Sequence, residues 1–252
     1  MNLIDTHCHL FYDNLKIDID GVLARAADLG VNRVICVGTN LEDSRECLKL
    51  AEQYDTIYAS AGVHPHDAKD VLEGYLDQIT DLMTSDRMVA VGEMGLDYYR
   101  NISDPETQKQ IFREQMALAQ SLGKPVIFHN RGADKDVIQV LSEFPDVTGV
   151  AHCFSSDLET AETFLDFGYY ISFSGNLTFK NSHLPDVAKE LPLDKILVET
   201  DSPYLSPMPF RGKPNEPGRT RHVAEKLAVI HNVPLDLIAE KTTANAEALF
   251  GL

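Results

Sequence analysis

The chain has 252 residues, of which 44% are hydrophobic and 24% are charged, as is typical of a globular protein with a substantial core. Aspartate and glutamate number 39 against 22 lysines and arginines, so the formal net charge is −17. A surface this acidic repels nucleic acids and anionic membranes at long range, so a polyanionic substrate would need a locally positive site.

Eight short runs rich in β-branched residues predict strands at residues 3–9, 32–38, 56–64, 87–93, 124–129, 147–152, 169–175 and 195–200. Amphipathic segments between them predict helices, and residues 219–232 supply an eighth. This alternation predicts an α/β fold, a (β/α)₈ TIM barrel that spans residues 1–252 as one domain. A doubly wound open sheet is the alternative, although its glycine-rich phosphate loop is absent after the first strand.

Other features of the sequence bear on where the protein resides. No stretch reaches the roughly 18 consecutive apolar residues of a membrane span, and no secretion signal is visible. The four cysteines have no paired spacing, which favours free thiols, and we expect Cys8 and Cys153 to be core residues. The sequence therefore predicts a cytoplasmic protein with no membrane contact, and nothing in it indicates an obligate protein partner.

Metal-binding residue types stand at the ends of six predicted strands: His7, His9, His64, Glu93, His129, His152 and Asp201. In a TIM barrel these strand ends converge on the active site, and an extended strand places His7 and His9 on the same face. Imidazoles together with carboxylates suit Zn²⁺ or Mn²⁺, while Mg²⁺ is less natural with so many histidines. The ligands are too many for one tetrahedral ion, so we expect two divalent ions with Glu93 placed to bridge them.

Seven segments resemble the signature motifs of the TatD family of metal-dependent deoxyribonucleases: DTHCHL, GVHPH, VGEMGLDYY, PVIFHNR, AHCFS, VETDSPYL and RGKPNEP. The resemblance runs in order from residue 5 to about residue 217 and implies a TIM barrel of the amidohydrolase type. It implies that one ion is held by His7, His9 and Asp201. It also implies that His129 and His152 hold the other ion, with Glu93 bridging the two.

Three positions depart from the usual motifs of this family. Asn130 stands where serine is frequent, Ser156 stands where glycine is frequent, and Gly218-Arg219 replaces a small residue and a tyrosine. None of them is a predicted metal ligand. The departures therefore bear on substrate preference and leave the predicted metal site intact.

The implied activity is cleavage of phosphodiester bonds in DNA from the 3′ end of single strands or frayed ends. Two ions would lower the pKa of a shared water, and Asp201 would orient the resulting hydroxide and accept its proton. Four basic side chains are candidate donors to the substrate's phosphate oxygens: His64, Arg131, Arg211 and Lys213. The last two lie in the proline-rich segment 202–218, which is long enough to predict a functional loop.

Other functions are compatible with the same fold. One is an amidohydrolase or esterase that cleaves a small cyclic amide, a lactone or an ester, and another is an aminoacyl-tRNA deacylase. The basic segment RGKPNEPGRTR distinguishes them from a nuclease, since a neutral substrate does not require it. A non-enzymatic metal-binding scaffold is the third class, and the intact ligand set argues against it.

Overall fold

The computed structural model describes residues 1–252 and contains one sheet of eight parallel strands in chain order. The strands are β1 (Leu3–Cys8), β2 (Val31–Val37), β3 (Ile57–Ala61), β4 (Met88–Asp97), β5 (Val126–Arg131), β6 (Gly149–Ala151), β7 (Tyr170–Phe173) and β8 (Ile196–Val198). All eight predicted strands are therefore confirmed. The prediction for β4 was too short, because this strand continues four residues past Glu93 to Asp97.

Ten helices surround or cap the sheet: α1 (Asp13–Lys16), α2 (Ile19–Asp28), α3 (Leu41–Gln53), α4 (Tyr75–Leu82), α5 (Pro105–Leu122), α6 (Asp134–Ser142), α7 (Leu158–Asp166), α8 (Leu184–Glu190), α9 (Thr220–His231) and α10 (Leu235–Phe250). Local signals fix several ends; for example, the Asp104 side chain caps α5 and Gly123 ends it in the left-handed conformation. No helix combines the length and the apolar character that crossing a membrane requires.

The first and last strands meet along a seam that closes the barrel. Thr6 Oγ1 donates a hydrogen bond to the Val198 carbonyl at 3.1 Å. Beyond β8, the Asp201 N–H donates to the His7 carbonyl at 2.9 Å, and the His9 N–H donates to the Ser202 carbonyl at 2.8 Å. The predicted TIM barrel is confirmed, and the open-sheet alternative is wrong because its edge strands would not be joined.

The end of the barrel opposite the C-terminal ends of the strands is closed by α10, a helix that the sequence pattern did not predict. Its residues Leu249 and Phe250 belong to a buried cluster with Ile127, Val150 and Leu197 of the strands. Ile127 and Val150 lie two positions before His129 and His152 of the cavity at the other end, and in a strand such positions share a face. The barrel interior is therefore apolar at the end next to α10 and polar at the C-terminal ends of the strands.

Candidate metal centre

The six predicted metal ligands lie together at the C-terminal ends of the strands. They are His7, His9, Glu93, His129, His152 and Asp201, here called the metal cluster. All except the fully buried His7 line a cavity of about 720 Å³. The parallel strands bring these residues together because their ends share one edge of the barrel.

Glu93 stands between two groups of histidines. Its Oε2 lies 3.3 Å from His7 Nε2, which is 3.2 Å from His9 Nε2. Its Oε1 lies 2.9 Å from His152 Nε2 and 3.4 Å from His129 Nδ1. One carboxylate oxygen therefore faces each group, which is the arrangement that a bridging ligand requires.

The outward-facing nitrogens of three histidines are fixed as donors by partners that can only accept. His9 Nδ1 lies 2.8 Å from the Val37 carbonyl, and His152 Nδ1 lies 3.3 Å from Glu199 Oε1. His129 Nε2 lies 3.2 Å from Asp97 Oδ2. A neutral imidazole has one N–H, so the nitrogens that face the cavity are bare acceptors.

The hydrogen-bond partners of these histidines bear on whether the site suits metal ions. Bare imidazole nitrogens face one another and the oxygens of Glu93 and Asp201, and His9 Nε2 lies 3.4 Å from Asp201 Oδ1. A cluster of acceptors at these distances is repulsive unless cations lie among them. Three sets of donor atoms each lie within 4.8 Å of one another, and they include one set of His7, His9 and Asp201. The side chains present therefore fit divalent ions.

The ionisation of the site carboxylates points the same way. Burial alone would raise the pKa of Glu93, but His152 and the other histidines around it together hold that pKa well below its usual range. Burial would likewise raise the pKa of Asp201, and the hydrogen bond with His9 outweighs it only together with the interactions of the neighbouring histidines. Burial lowers the pKa of His9, but Asp201 raises it to about 9, so without metal the ring holds a proton that a bound ion would displace. The carboxylates are ionised at neutral pH and attract cations to the histidine nitrogens.

His64 differs from the other histidines of the cavity. Its Nδ1 accepts a hydrogen bond from the His66 N–H at 3.1 Å, so its Nε2 carries the proton in the neutral ring. That Nε2 lies 3.4 Å from Glu93 Oε1. Burial lowers the pKa of His64 to about 4, so the ring is neutral and presents a single donor to the cavity. This geometry is that of a hydrogen-bond donor, in keeping with its predicted role.

Two carboxylates orient the histidines, and the sequence analysis assigned neither of them. Asp97 Oδ2 lies 2.9 Å from His66 Nε2 and 3.2 Å from His129 Nε2. Glu199 Oε1 accepts from the Cys153 N–H at 2.8 Å and lies against His152. A carboxylate behind a metal-binding histidine fixes its tautomer and strengthens its basicity. Alternation along β4 from Glu93 to Asp97 was the available signal, and the shorter predicted strand concealed it.

The four predicted phosphate donors do not all lie in the central cavity. His64 and Arg131 line it, whereas Arg211 and Lys213 line smaller cavities beside it. The Arg131 guanidinium carbon lies 4.0 Å from the centre of the Tyr99 ring. The structure thus brings two of these side chains next to the metal cluster and leaves the other two at its margin.

The residues that depart from the usual motifs have structural partners. Asn130 Nδ2 and Ser156 Oγ each donate to Asp134 Oδ1 at 2.6 Å, so the two departures share one acceptor. Arg219 donates to the Ser206 hydroxyl at 2.9 Å and to the Pro214 carbonyl at 2.6 Å. Arg219 therefore holds the proline-rich loop in place.

The predicted core thiols behave differently. Cys8 is fully buried, as expected, and its thiol lies 3.4 Å from the Ile35 carbonyl. Cys153 is only half-buried and lines the central cavity, so its prediction was wrong. Its left-handed φ of 45° turns the chain directly after His152, which breaks the simple alternation of a strand.

Known proteins are similar to this chain in sequence. The sequence matches the family model described as TatD related DNase over residues 4–251. It is 42% identical over 251 residues to the uncharacterized metal-dependent hydrolase YabD of Bacillus subtilis, with 98% of each chain covered. It is 34% identical over 258 residues to the 3′-5′ ssDNA/RNA exonuclease TatD of Shigella flexneri, with 99% of each covered.

The fold agrees with a solved structure. The crystal structure of YJJV, a TatD homologue from Escherichia coli K12, superposes with a TM-score of 0.93 at 34% identity. The match covers 99% of this chain and 98% of that one. The barrel, the cluster at its strand ends and these matches together show that the chain belongs to the TatD family of metal-dependent hydrolases.

Proposed function

We propose that this protein is a metal-dependent phosphodiesterase that removes nucleotides from the 3′ end of single-stranded DNA. The observation that carries the proposal is the position of Glu93, which has one oxygen facing each of two histidine groups whose inward nitrogens are bare acceptors. Such a pair of sites suits two-ion hydrolysis of a phosphodiester. The exonuclease TatD of Shigella flexneri, 34% identical, supports the choice of substrate.

We assign the metal cluster to two divalent ions, Zn²⁺, Mn²⁺ or Mg²⁺. His7, His9 and Asp201 would hold one ion, His129 and His152 would hold the other, and Glu93 would bridge them. Ions bound there would supply Lewis acidity. They would also offset the repulsion between phosphate and a chain whose net charge is −17.

Asp201 is the proposed proton acceptor. Its carboxylate is ionised, lies at the edge of the cluster against His9 and has a side chain 15% exposed, so water reaches it. The residue has a left-handed φ of 56°, a conformation in which aspartate is enriched and which directs its side chain away from the strand path. A carboxylate so placed can orient an attacking water and take up its proton.

His64 and Arg131 are the proposed donors to the phosphate oxygens in the central cavity. His64 offers one N–H next to Glu93, so it lies beside the position where a phosphoryl oxygen would gain charge. Arg131 offers a charged donor at the mouth, where its stacking on Tyr99 restricts its movement. The two together would orient the scissile phosphate over the cluster.

The test is to incubate the metal-loaded protein with 5′-labelled single-stranded DNA and with the matching blunt duplex. We expect a ladder of products that shorten from the 3′ end, produced faster from the single strand than from the duplex. The Glu93→Gln variant prepared in parallel controls for contaminating nucleases. No cleavage of DNA, together with turnover of a lactone, a small ester or an aminoacyl-tRNA, would replace the proposal with one of the alternative hydrolases.

A further inference from the structure

Two further cavities, of about 470 and 520 Å³, lie beside the central cavity on the side of β7 and β8. The first shares Ser155 and Asn176 with the central cavity. The second shares Tyr204 and Leu205 with it. The three cavities therefore form one continuous depression that extends outward from the metal cluster.

The charge of these two cavities opposes that of the whole protein. No aspartate or glutamate lines either of them, although the chain contains 39 and has a net charge of −17. Lysine and arginine line them instead, and the side chains of Lys180, Arg211 and Lys213 form no ion pair or hydrogen bond within the chain. We name the surface formed by Phe179, Lys180, Arg211 and Lys213 the β7–β8 rim.

The two loops that carry the rim are docked on each other. The Met208 N–H donates to Thr178 Oγ1 at 2.8 Å. A Cβ atom at Gly175 would lie 1.8 Å from the Leu205 carbonyl, so only glycine permits this approach of the two loops. The rim is thus a surface held in place before a ligand arrives, which limits the entropy lost on binding.

Phe179 and Arg211 line both cavities and stand on the ridge between them. The Arg211 guanidinium carbon lies 3.9 Å from the centre of the Phe179 ring. An arginine stacked on an aromatic ring keeps its N–H donors in a fixed plane and offers a face on which a nucleobase can stack. Flanking lysines without partners supply the phosphate contacts that a single strand also needs.

We infer that the β7–β8 rim binds the nucleotides of a single strand that lie beyond the two joined by the scissile bond. One base stacks on the Arg211–Phe179 pair, and the neighbouring phosphates contact Lys180 and Lys213. The inference rests on the proposed function. The strand leaves the metal cluster over β7 and β8, because the two cavities on that side are lined by lysine and arginine and by no carboxylate.

The first arm of the test compares substrates of different length on the metal-loaded protein. In the variant Lys180→Ala/Arg211→Ala/Lys213→Ala, we expect KM for a long oligothymidylate to rise by about tenfold or more. KM for the dinucleotide and for bis(p-nitrophenyl) phosphate should change by less than about twofold, since neither reaches the rim. The matched control is Lys49→Ala/Lys189→Ala/Lys241→Ala, which removes the same charge outside the cavities. Equal effects of the two triple variants, or equal effects on long and short substrates, would overturn the inference.

The second arm does not depend on catalysis. Anisotropy of a labelled oligothymidylate is measured against salt in a Glu93→Gln background, with and without the rim substitutions. Each phosphate contact contributes about −0.7 to the slope of log affinity against log salt, so loss of the two lysine contacts should make the slope of the rim variant about 1.4 shallower. An unchanged slope would overturn the inference. If the protein cleaves none of the phosphodiesters of the first arm but the slope changes as expected, the proposed function is rejected and the binding surface is retained.

Discussion

The metal cluster and the β7–β8 rim differ in how their polar groups are satisfied. In the cluster, partners such as Asp97, Glu199 and the Val37 carbonyl fix the outer nitrogens of the histidines. On the rim, the side chains of Lys180, Arg211 and Lys213 form no ion pair or hydrogen bond within the chain. The side chains of the cluster are therefore held in one geometry, while the rim has charge available for a ligand. We propose that bond cleavage and substrate choice reside in these two different parts of the molecule.

The largest effect on the metal cluster is expected from a substitution of Glu93. Replacing it with Gln should abolish turnover of long and short substrates alike and lower the metal content, because a neutral amide bridges two cations poorly. Metal analysis of the purified variant and kcat on bis(p-nitrophenyl) phosphate measure both effects. Glu190→Gln, the same change at an exposed position, is the control. Two full metal equivalents with a wild-type rate would exclude the bridging role.

The next largest effect is expected at Asp201. Asp201→Asn should lower kcat by about 10²–10⁴-fold, since a general base is lost. Asparagine also tolerates the left-handed φ of 56°, so the loop should keep its conformation. Metal content should fall much less than kcat, because His7, His9 and Glu93 remain. A variant with near-normal kcat at full metal loading would show that another group accepts the proton.

The smallest effect is expected at Asp97, which orients His129 of the cluster. Asp97→Asn leaves every proposed ligand in place but weakens the acceptor for the N–H of His129. We expect the apparent metal affinity to fall by about 10–100-fold, with kcat at saturating metal close to normal. Titration of activity against Mn²⁺ separates the two quantities, and Asp104→Asn on the exposed start of α5 serves as the control. Loss of kcat at saturating metal would instead place Asp97 in the reaction itself.

The sequence predicted most of the barrel because its strands and helices carry strong local patterns. It missed α10, whose buried residues include Thr242, Thr243 and Asn245 as well as apolar ones, so no clear apolar stripe marks it. The eight strand-and-helix units were also already complete before residue 235. The contribution of α10 is tertiary, since it packs Leu249 and Phe250 into the barrel interior.

The grouping of the candidate metal ligands could be predicted because parallel strands end at one edge, so strand ends are neighbours whatever their separation in sequence. The orienting carboxylates could not, since the partner of each depends on distances across strands. Asp97 contacts His129, which is 32 residues away, and Glu199 contacts His152, which is 47 residues away. The sequence indicated Arg211 and Lys213 of the rim but not Phe179 and Lys180, because these two lie on a separate loop that only the fold brings alongside.

The seam between β1 and the chain beyond β8 has a consequence for how the protein matures. It joins residues at opposite ends of the chain, as in the hydrogen bond between the Thr200 N–H and Asp5, which are 195 residues apart. A ribosome adding about 5–20 residues per second needs on the order of 10–40 s to reach that point. Until then His7 and His9 have no carboxylate partner from residue 201. An ion held by the proposed triad would therefore bind only after the barrel closes, and its binding would stabilise the closed chain.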